Sequence, residues 1–461
     1  MKTTLKQNGI ILLQWLAATF ILLHPALWNR FPLLNSDTGT YLTMAHTLLA
    51  AADRPVFYGL FVKYTGIEGS LWSVIIIQNF LLALTLWCFL RNFMKPFSSF
   101  SYLLIIMVLT YTTGMSWFSC QLMTDVFTPL LILSFFILLF GNENIFGKIF
   151  FTLLFILSAV VHYSNLMLIV ILFFALLKVQ FILYPKLKMF SGKTILLFSV
   201  LLIATCFVTP VKNYFAEGKF YYSHYNGIMM AGKLSETGLL KRFLDEACPT
   251  HNYAICKFKD QLSPTQPGFL YTEQSVLDSM GDWNKNEEEL SVVSRKAILW
   301  HPFLFIGSSL ECAATNLLRL DVGTGLHYYE PGTSVHNQML YSYSDQFNRF
   351  STSRQQFSQL NFDWERMIQR IVILLSLAFI LIVLLVKNFR QQIPSTTKYF
   401  MLVIIFSFII NALITGTLAS AHDDRYQSRL AWLACLPVLF YLAPVMERKI
   451  FSAIEKLLKR N

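Results

Sequence analysis

Long apolar runs separated by short basic or aromatic connections dominate this chain, and their lengths set the first expectation. Runs at 9–27, 70–90, 100–113, 122–140, 149–161, 163–177, 194–210, 371–386, 399–418 and 430–445 approach the roughly 20 residues that carry a helix across a bilayer. Lipid offers backbone N–H and C=O groups no partners, so such runs are expected to be helical. The pattern predicts an all-α polytopic membrane protein of about ten transmembrane helices. A long polar stretch, 211–370, interrupts them and has the length of a small domain. Within it, 295–318 is apolar yet carries His301-Pro302 and Glu311. This predicts an amphipathic or re-entrant helix at the membrane surface, with an eleven-span chain as the alternative. The expected organisation is an N-terminal transmembrane module (1–210), an insert (211–370), C-terminal helices (371–446) and a basic tail (447–461).

Composition narrows the class. The 461 residues are 55% hydrophobic and 14% charged, against about 25% charged in an average soluble domain. The net charge of +11 does not call for nucleic acid, because the cations sit in short connections. Lys2 and Lys6, Arg91 and Lys95, Lys178 to Lys193, Lys387 to Lys398 and the tail from Arg448 to Arg460 form a positive-inside pattern, the tail lying on membrane lipid. The first apolar run lacks a small-residue cleavage site and is expected as a retained span. With the basic connections inside, the loop 28–69, the insert and the segment 422–429 share the outer face. The absence of any Asn-x-Ser/Thr sequence favours a bacterial inner membrane with that face in the periplasm. Cys248 and Cys256 lie in the polar insert, either as a disulfide or as two free thiols; the other five cysteines lie in or beside apolar stretches.

Charged groups at the ends of apolar runs are the candidates for chemistry. Asp37 follows the first run in Asn35-Ser36-Asp37-Thr38-Gly39-Thr40-Tyr41, and apolar residues at 41, 42, 45, 48, 49 and 52 predict an interfacial helix behind it. Asp37 is then either that helix's cap or a general base. Asp125 opens the fourth run, where an ionisable group is costly unless paired, hydrated or functional. Two carboxylates on one face suit deprotonation of a hydroxyl. Arg54, before Pro55, and Arg425 and Arg429, four residues apart, are candidate phosphate ligands because guanidinium presents a planar donor fork. The alternative for Arg425 and Arg429 is pairing with Asp423 and Asp424. Tyr41, Tyr58, His162, His422 and Tyr426 are the expected substrate contacts. No Gly-rich phosphate loop, His-Glu-x-x-His or Gly-x-Ser-x-Gly is present. A soluble nucleotide donor is therefore unsupported.

Four pieces of the chain, Ser36-Asp37-Thr38-Gly39-Thr40-Tyr41, Arg54-Pro55-Val56-Phe57-Tyr58-Gly59 leading to Gln78, Thr124-Asp125 and Arg425-Tyr426, resemble the GT-C superfamily of membrane glycosyltransferases. The likeness is to the bacterial branch similar to protein mannosyltransferases and lipid A aminoarabinose transferases. It implies a GT-C-like helical bundle with an interfacial helix in the first outer loop and a periplasmic insert. It also implies a polyprenyl-phosphate sugar donor and an envelope lipid, glycan or protein as acceptor, with no cofactor. The general base falls on Asp37 and the assisting acid on Asp125. Thr38 follows Asp37 where many members carry a second acid, which removes a metal ligand, and no metal is expected. The alternative from a different class is a transporter or flippase of a lipid-linked solute.

Overall fold

A computed structural model describes residues 2–183, 189–272, 274–281, 283–419 and 423–458. Among these the fold is all-helical, and the one β-type contact is a single parallel bridge between Leu33 and Gln121. Each of the ten apolar runs is largely helical, the first breaking after Leu22 into a second short helix, His24–Asn29. Six are long and apolar enough to cross a membrane: Leu71–Phe93, Tyr163–Ile182, Gly192–Glu217, Asp363–Leu385, Ser395–Leu418 and Arg425–Glu455. The bent pair Trp283–Trp300 and Pro302–Leu317 makes a seventh if counted as one span. The other four runs are the shorter helices Gly9–Leu22, Ser99–Thr112, Thr124–Phe140 and Ile145–Val160. The expected count of about ten is therefore not reached by length. At about 1.5 Å per residue the last three of these fall short of a hydrocarbon core of about 30 Å, whereas the first is the apolar part of a 21-residue helix, Lys2–Leu22, whose opening turns carry Lys2 and Lys6.

Local chemistry explains several of the boundaries. Ser98, Asn144 and Ser191 accept hydrogen bonds from backbone N–H groups in the first turns of the helices they precede. The helix from Gly192 runs on past Pro210 to Glu217 and ends where Gly218 adopts φ +70°. The single helix expected over 295–318 is two helices meeting at 96°. Pro302 cannot donate an N–H to the preceding turn, so it starts a new helix. Likewise the helix behind Asp37 covers Thr38–Thr47 and ends at Leu48, which is left-handed at φ 60°.

The polar stretch divides into two parts. Helices Asn226–Glu236, Leu239–Ala247 and Trp283–Trp300 enclose their own apolar core around Ile228, Leu240, Phe243, Leu290 and Val293. A Cys248–Cys256 disulfide closes the end of this part, so the pairing left open by the sequence is resolved as bonded. Residues 318–362 instead pack on the main core through Leu320, Val322, Val335, Met339 and Phe350.

This second part fixes the loop 28–69. The Gln355 side chain accepts from the Leu34 N–H at 3.1 Å and donates to the Leu34 carbonyl at 2.6 Å. On the other side, Leu33 N–H donates to the Cys120 carbonyl at 3.1 Å and Leu122 N–H to the Leu33 carbonyl at 3.0 Å. Gly39 then lies against helix Ser334–Tyr341: a Cβ there would come within 2.8 Å of the Ser334 carbonyl carbon and the Val335 nitrogen. Backbone cannot yield as a flexible side chain can. Gly39→Ala is therefore expected to destabilise by about 1–3 kcal/mol. Gly307→Ala, with nothing within 4 Å, should leave the melting temperature unchanged or raised. Thermal unfolding in detergent reads both.

Candidate functional site

Asp37 stands at the start of its helix without capping it: its side chain makes no cap hydrogen bond. The turn is closed by its neighbours instead, the Asn35 N–H donating to Thr38 Oγ1 at 2.8 Å and the Thr38 hydroxyl to the Leu122 carbonyl at 3.2 Å. This leaves the carboxylate free to face two guanidiniums. Oδ1 is 3.2 Å from Arg54 Nη1 and Oδ2 accepts from Arg425 Nη1 at 2.9 Å. Each arginine has a second acid. Arg54 forks onto Asp53, and Arg425 meets Asp423 at 3.0 Å. Arg425 also donates to Asn35 Oδ1 at 3.0 Å.

Behind this pair lies a second one. Arg429 Nη1 donates to Asp125 Oδ1 at 3.1 Å, and both side chains are almost wholly buried, at 1% and 2% exposure. Arg429 Nη2 donates to Ser164 Oγ at 3.2 Å, and the Ser164 hydroxyl is 2.7 Å from His162 Nδ1. His162 also caps the helix from Tyr163 by accepting the Ser164 N–H. It therefore reaches the charged centre through Ser164. Arg425 Nε comes within 3.9 Å of Asp125 Oδ2, which joins the two pairs into one cluster. The Nε groups of Arg425 and Arg429 are buried without a hydrogen-bond acceptor among the described residues.

Aromatic side chains frame the cluster. The Arg54 guanidinium lies 5.3 Å from the Tyr41 ring centre, and Arg425 and Arg429 lie 5.5 and 5.7 Å from that of Tyr426. The Tyr41 hydroxyl meets Thr124 Oγ1 at 3.4 Å. Tyr58 packs edge-on against Tyr41 and is fully buried, its hydroxyl donating to Gln78 Oε1 at 2.9 Å. Gln78 in turn holds the carbonyls of Ser119 and Gln121. Tyr58 thus braces the backbone that carries Asp125. His422 lies outside the described residues.

Of the sequence candidates, Asp37, Asp125, Arg54, Arg425, Arg429, Tyr41 and Tyr426 come together directly. The reading of Arg425 and Arg429 as partners of Asp423 and Asp424 holds in part. Arg425 meets Asp423, but Arg429 goes to Asp125, and Asp424 faces Arg319 at 3.7 Å. Missed from sequence were Asp53, Ser164 and Tyr271, whose hydroxyl donates to Asp53 Oδ2 at 3.0 Å. Asp53 carried a visible signal, an acid directly before the arginine. Ser164 and Tyr271 carried none. Among the described residues no group of three or more His, Cys, Asp or Glu side chains is placed to hold a metal. Comparison of the chain with family models, curated proteins and solved structures finds no match.

The site is a largely buried alternation of four carboxylates, Asp37, Asp53, Asp125 and Asp423, and three guanidiniums, Arg54, Arg425 and Arg429. Burial alone would raise the Asp37 pKa, but the Arg54 and Arg425 guanidiniums more than reverse this and hold it well below the usual carboxylate range. A folded-state pKa below the unfolded one stabilises the fold above the ordinary range, and that contribution is lost as pH falls through and below it. The melting-temperature gap between wild type and Asp37→Asn is thus expected to hold steady down to about pH 5 and to narrow below about pH 4. Melting curves of both proteins across pH check this.

Proposed function

We propose that this protein is a membrane glycosyltransferase moving a sugar from a polyprenyl-phosphate donor to an envelope acceptor, with Asp37 as general base. The observation that carries the reading is the Asp37 carboxylate bridging Arg54 and Arg425, with the Asp125–Arg429 pair behind it. Guanidinium forks are the natural ligands of a phosphate, and the apolar helices around them suit a donor that arrives through lipid. In this reading the four shorter helices also cross, aided by local bilayer thinning, to give a GT-C-like bundle of ten. The site then faces the periplasm of a bacterial inner membrane.

The reaction follows from charge. The acceptor hydroxyl oxygen attacks the anomeric carbon while the bond from that carbon to the phosphate oxygen breaks. The phosphate leaves with the electron pair, and the hydroxyl proton passes to Asp37. Attack opposite the leaving group inverts the anomeric centre. Arginines beside the leaving phosphate stabilise its growing charge. Both the Arg54 and Arg425 guanidiniums lie on Asp37, which makes it a weak base. A donor phosphate competes for the same N–H groups, including the Nε of Arg425 and Arg429, which donate no hydrogen bond among the described residues. As it draws the arginines away, Asp37 loses its counterions and gains basicity. Substrate binding arms the base.

The test is transfer from a panel of radiolabelled polyprenyl-phosphate sugars to envelope lipid extracts by purified protein. Asp37→Asn is expected to lower turnover by about 10²–10⁴-fold with donor binding kept. Arg425→Lys, which keeps charge but loses the fork, should raise KM for the donor. Equal transfer by wild type and Asp37→Asn would remove Asp37 as base. No transfer from any donor, together with flux of lipid-linked solute in liposomes, would replace the reading with a transporter.

A further inference from the structure

A second feature beside the charged centre is a cleft of about 380 Å³, within the range of small-molecule sites. One wall is Ala50, Ala51 and Ala52, which lead directly into Asp53 and Arg54. With no side chain beyond Cβ, these three positions leave the cleft its depth. The facing wall carries Tyr163, Tyr221, His224 and Tyr225, with Glu217, Lys219 and Asn284 adding charge and amide groups. Tyr163 directly follows His162 and precedes Ser164. Along the chain, the cleft lining thus adjoins both the loop that carries Asp53 and Arg54 and the helix start that carries His162 and Ser164.

Ring contacts continue from the cleft toward the acids. Tyr221 meets His224 at 5.0 Å, His224 meets Tyr225 at 4.6 Å, Tyr225 meets Trp283 at 5.5 Å and Trp283 meets Tyr271 at 6.3 Å between ring centres. The Tyr271 hydroxyl closes the series on Asp53, which holds Arg54 against Asp37. An unbroken aromatic path thus joins the cleft to the centre.

We infer that this cleft is a saccharide subsite that holds the sugar end of the acceptor, a reading that rests on the proposed transfer. Aromatic rings offer a flat apolar surface with a polar handle, matched to the C–H face and hydroxyl rim of a pyranose ring. Glu217 accepts from hydroxyls, Lys219 donates to them, and Asn284 does both. The Tyr221 hydroxyl donates to Glu217 and the Tyr225 hydroxyl to Asn284 Oδ1, so the lining carries a bonded polar rim that sugar hydroxyls extend and an acyl chain cannot. The occupant is therefore a glycan, whether free or on a lipid carrier, and its reacting hydroxyl is delivered toward Asp37.

The experiment is saturation-transfer NMR on the full chain in a detergent without a sugar headgroup. The probes are methyl glycosides of mannobiose, chitobiose and lactose, each also presented on a polyprenyl diphosphate. Binding of at least one saccharide is expected, with its ring C–H protons most saturated; whether the free or the lipid-linked form binds tells the carrier. Ala51→Trp should abolish binding, and Tyr221→Ala should weaken it roughly two- to tenfold. Asp37→Asn should bind as wild type does. Melting temperatures confirm that each variant is folded, and Tyr221→Ala carries the test if Ala51→Trp is not. No binding of any probe, or binding unchanged by both cleft variants, overturns the subsite. Saccharide binding that behaves as expected in a protein that transfers no sugar leaves the subsite standing and removes the transferase.

Discussion

An ionised carboxylate set among helices loses its hydration, and the loss is several kcal/mol unless opposite charge and donors replace water. Asp37 and Asp125 impose that constraint here, and the surrounding structure is arranged to meet it. Arg54 comes from the same loop as Asp37, while Arg425 and Arg429 come from the last apolar helix. The acids also anchor the arginines in turn, through Asp53 and Asp423. Neither set of charges is stable at this depth without the other. The ion pairs therefore tie distant parts of the chain to one another.

Rigid backbone supports this arrangement. Gln355 grips both polar groups of Leu34, and Gln78 grips the carbonyls before Asp125. Each is a single amide that satisfies groups a helix or sheet would otherwise satisfy. The loop that carries Asp37 is thus as well bonded as a regular element, which keeps its carboxylate pointed at the arginines. A loop so held suits binding geometry that has to be met before chemistry begins.

What the sequence made legible was decided by locality. Ten apolar runs were visible because a long hydrophobic stretch has few other fates, yet their lengths were not, since helix ends depend on contacts such as those that turn Leu48 left-handed. The break at Pro302 was written in the chain, but the expected single helix passed over it. Asp37 and Asp125 stood out as charges at the edges of apolar runs. Their partners did not, because Arg425 meets Asp37 across 388 residues and Arg429 meets Asp125 across 304. No local pattern encodes such a pairing. The division of the polar stretch into two cores was equally hidden, since Leu, Ile and Phe mark burial without naming the neighbour.

The order in which the chain emerges gives those long separations a meaning for biogenesis. Asp37, Arg54 and Asp125 are synthesised hundreds of residues before Arg425 and Arg429. Until then Asp125 lacks its Arg429 partner, and the last apolar helix carries two arginines at its leading end. Each half is a costly passenger alone. Docking of the last helix cancels both penalties in one step, so a chain cut short or miswoven leaves bare charge beside lipid. Quality control that recognises unpaired charge among apolar helices would have a direct signal of completion: the site certifies the assembly.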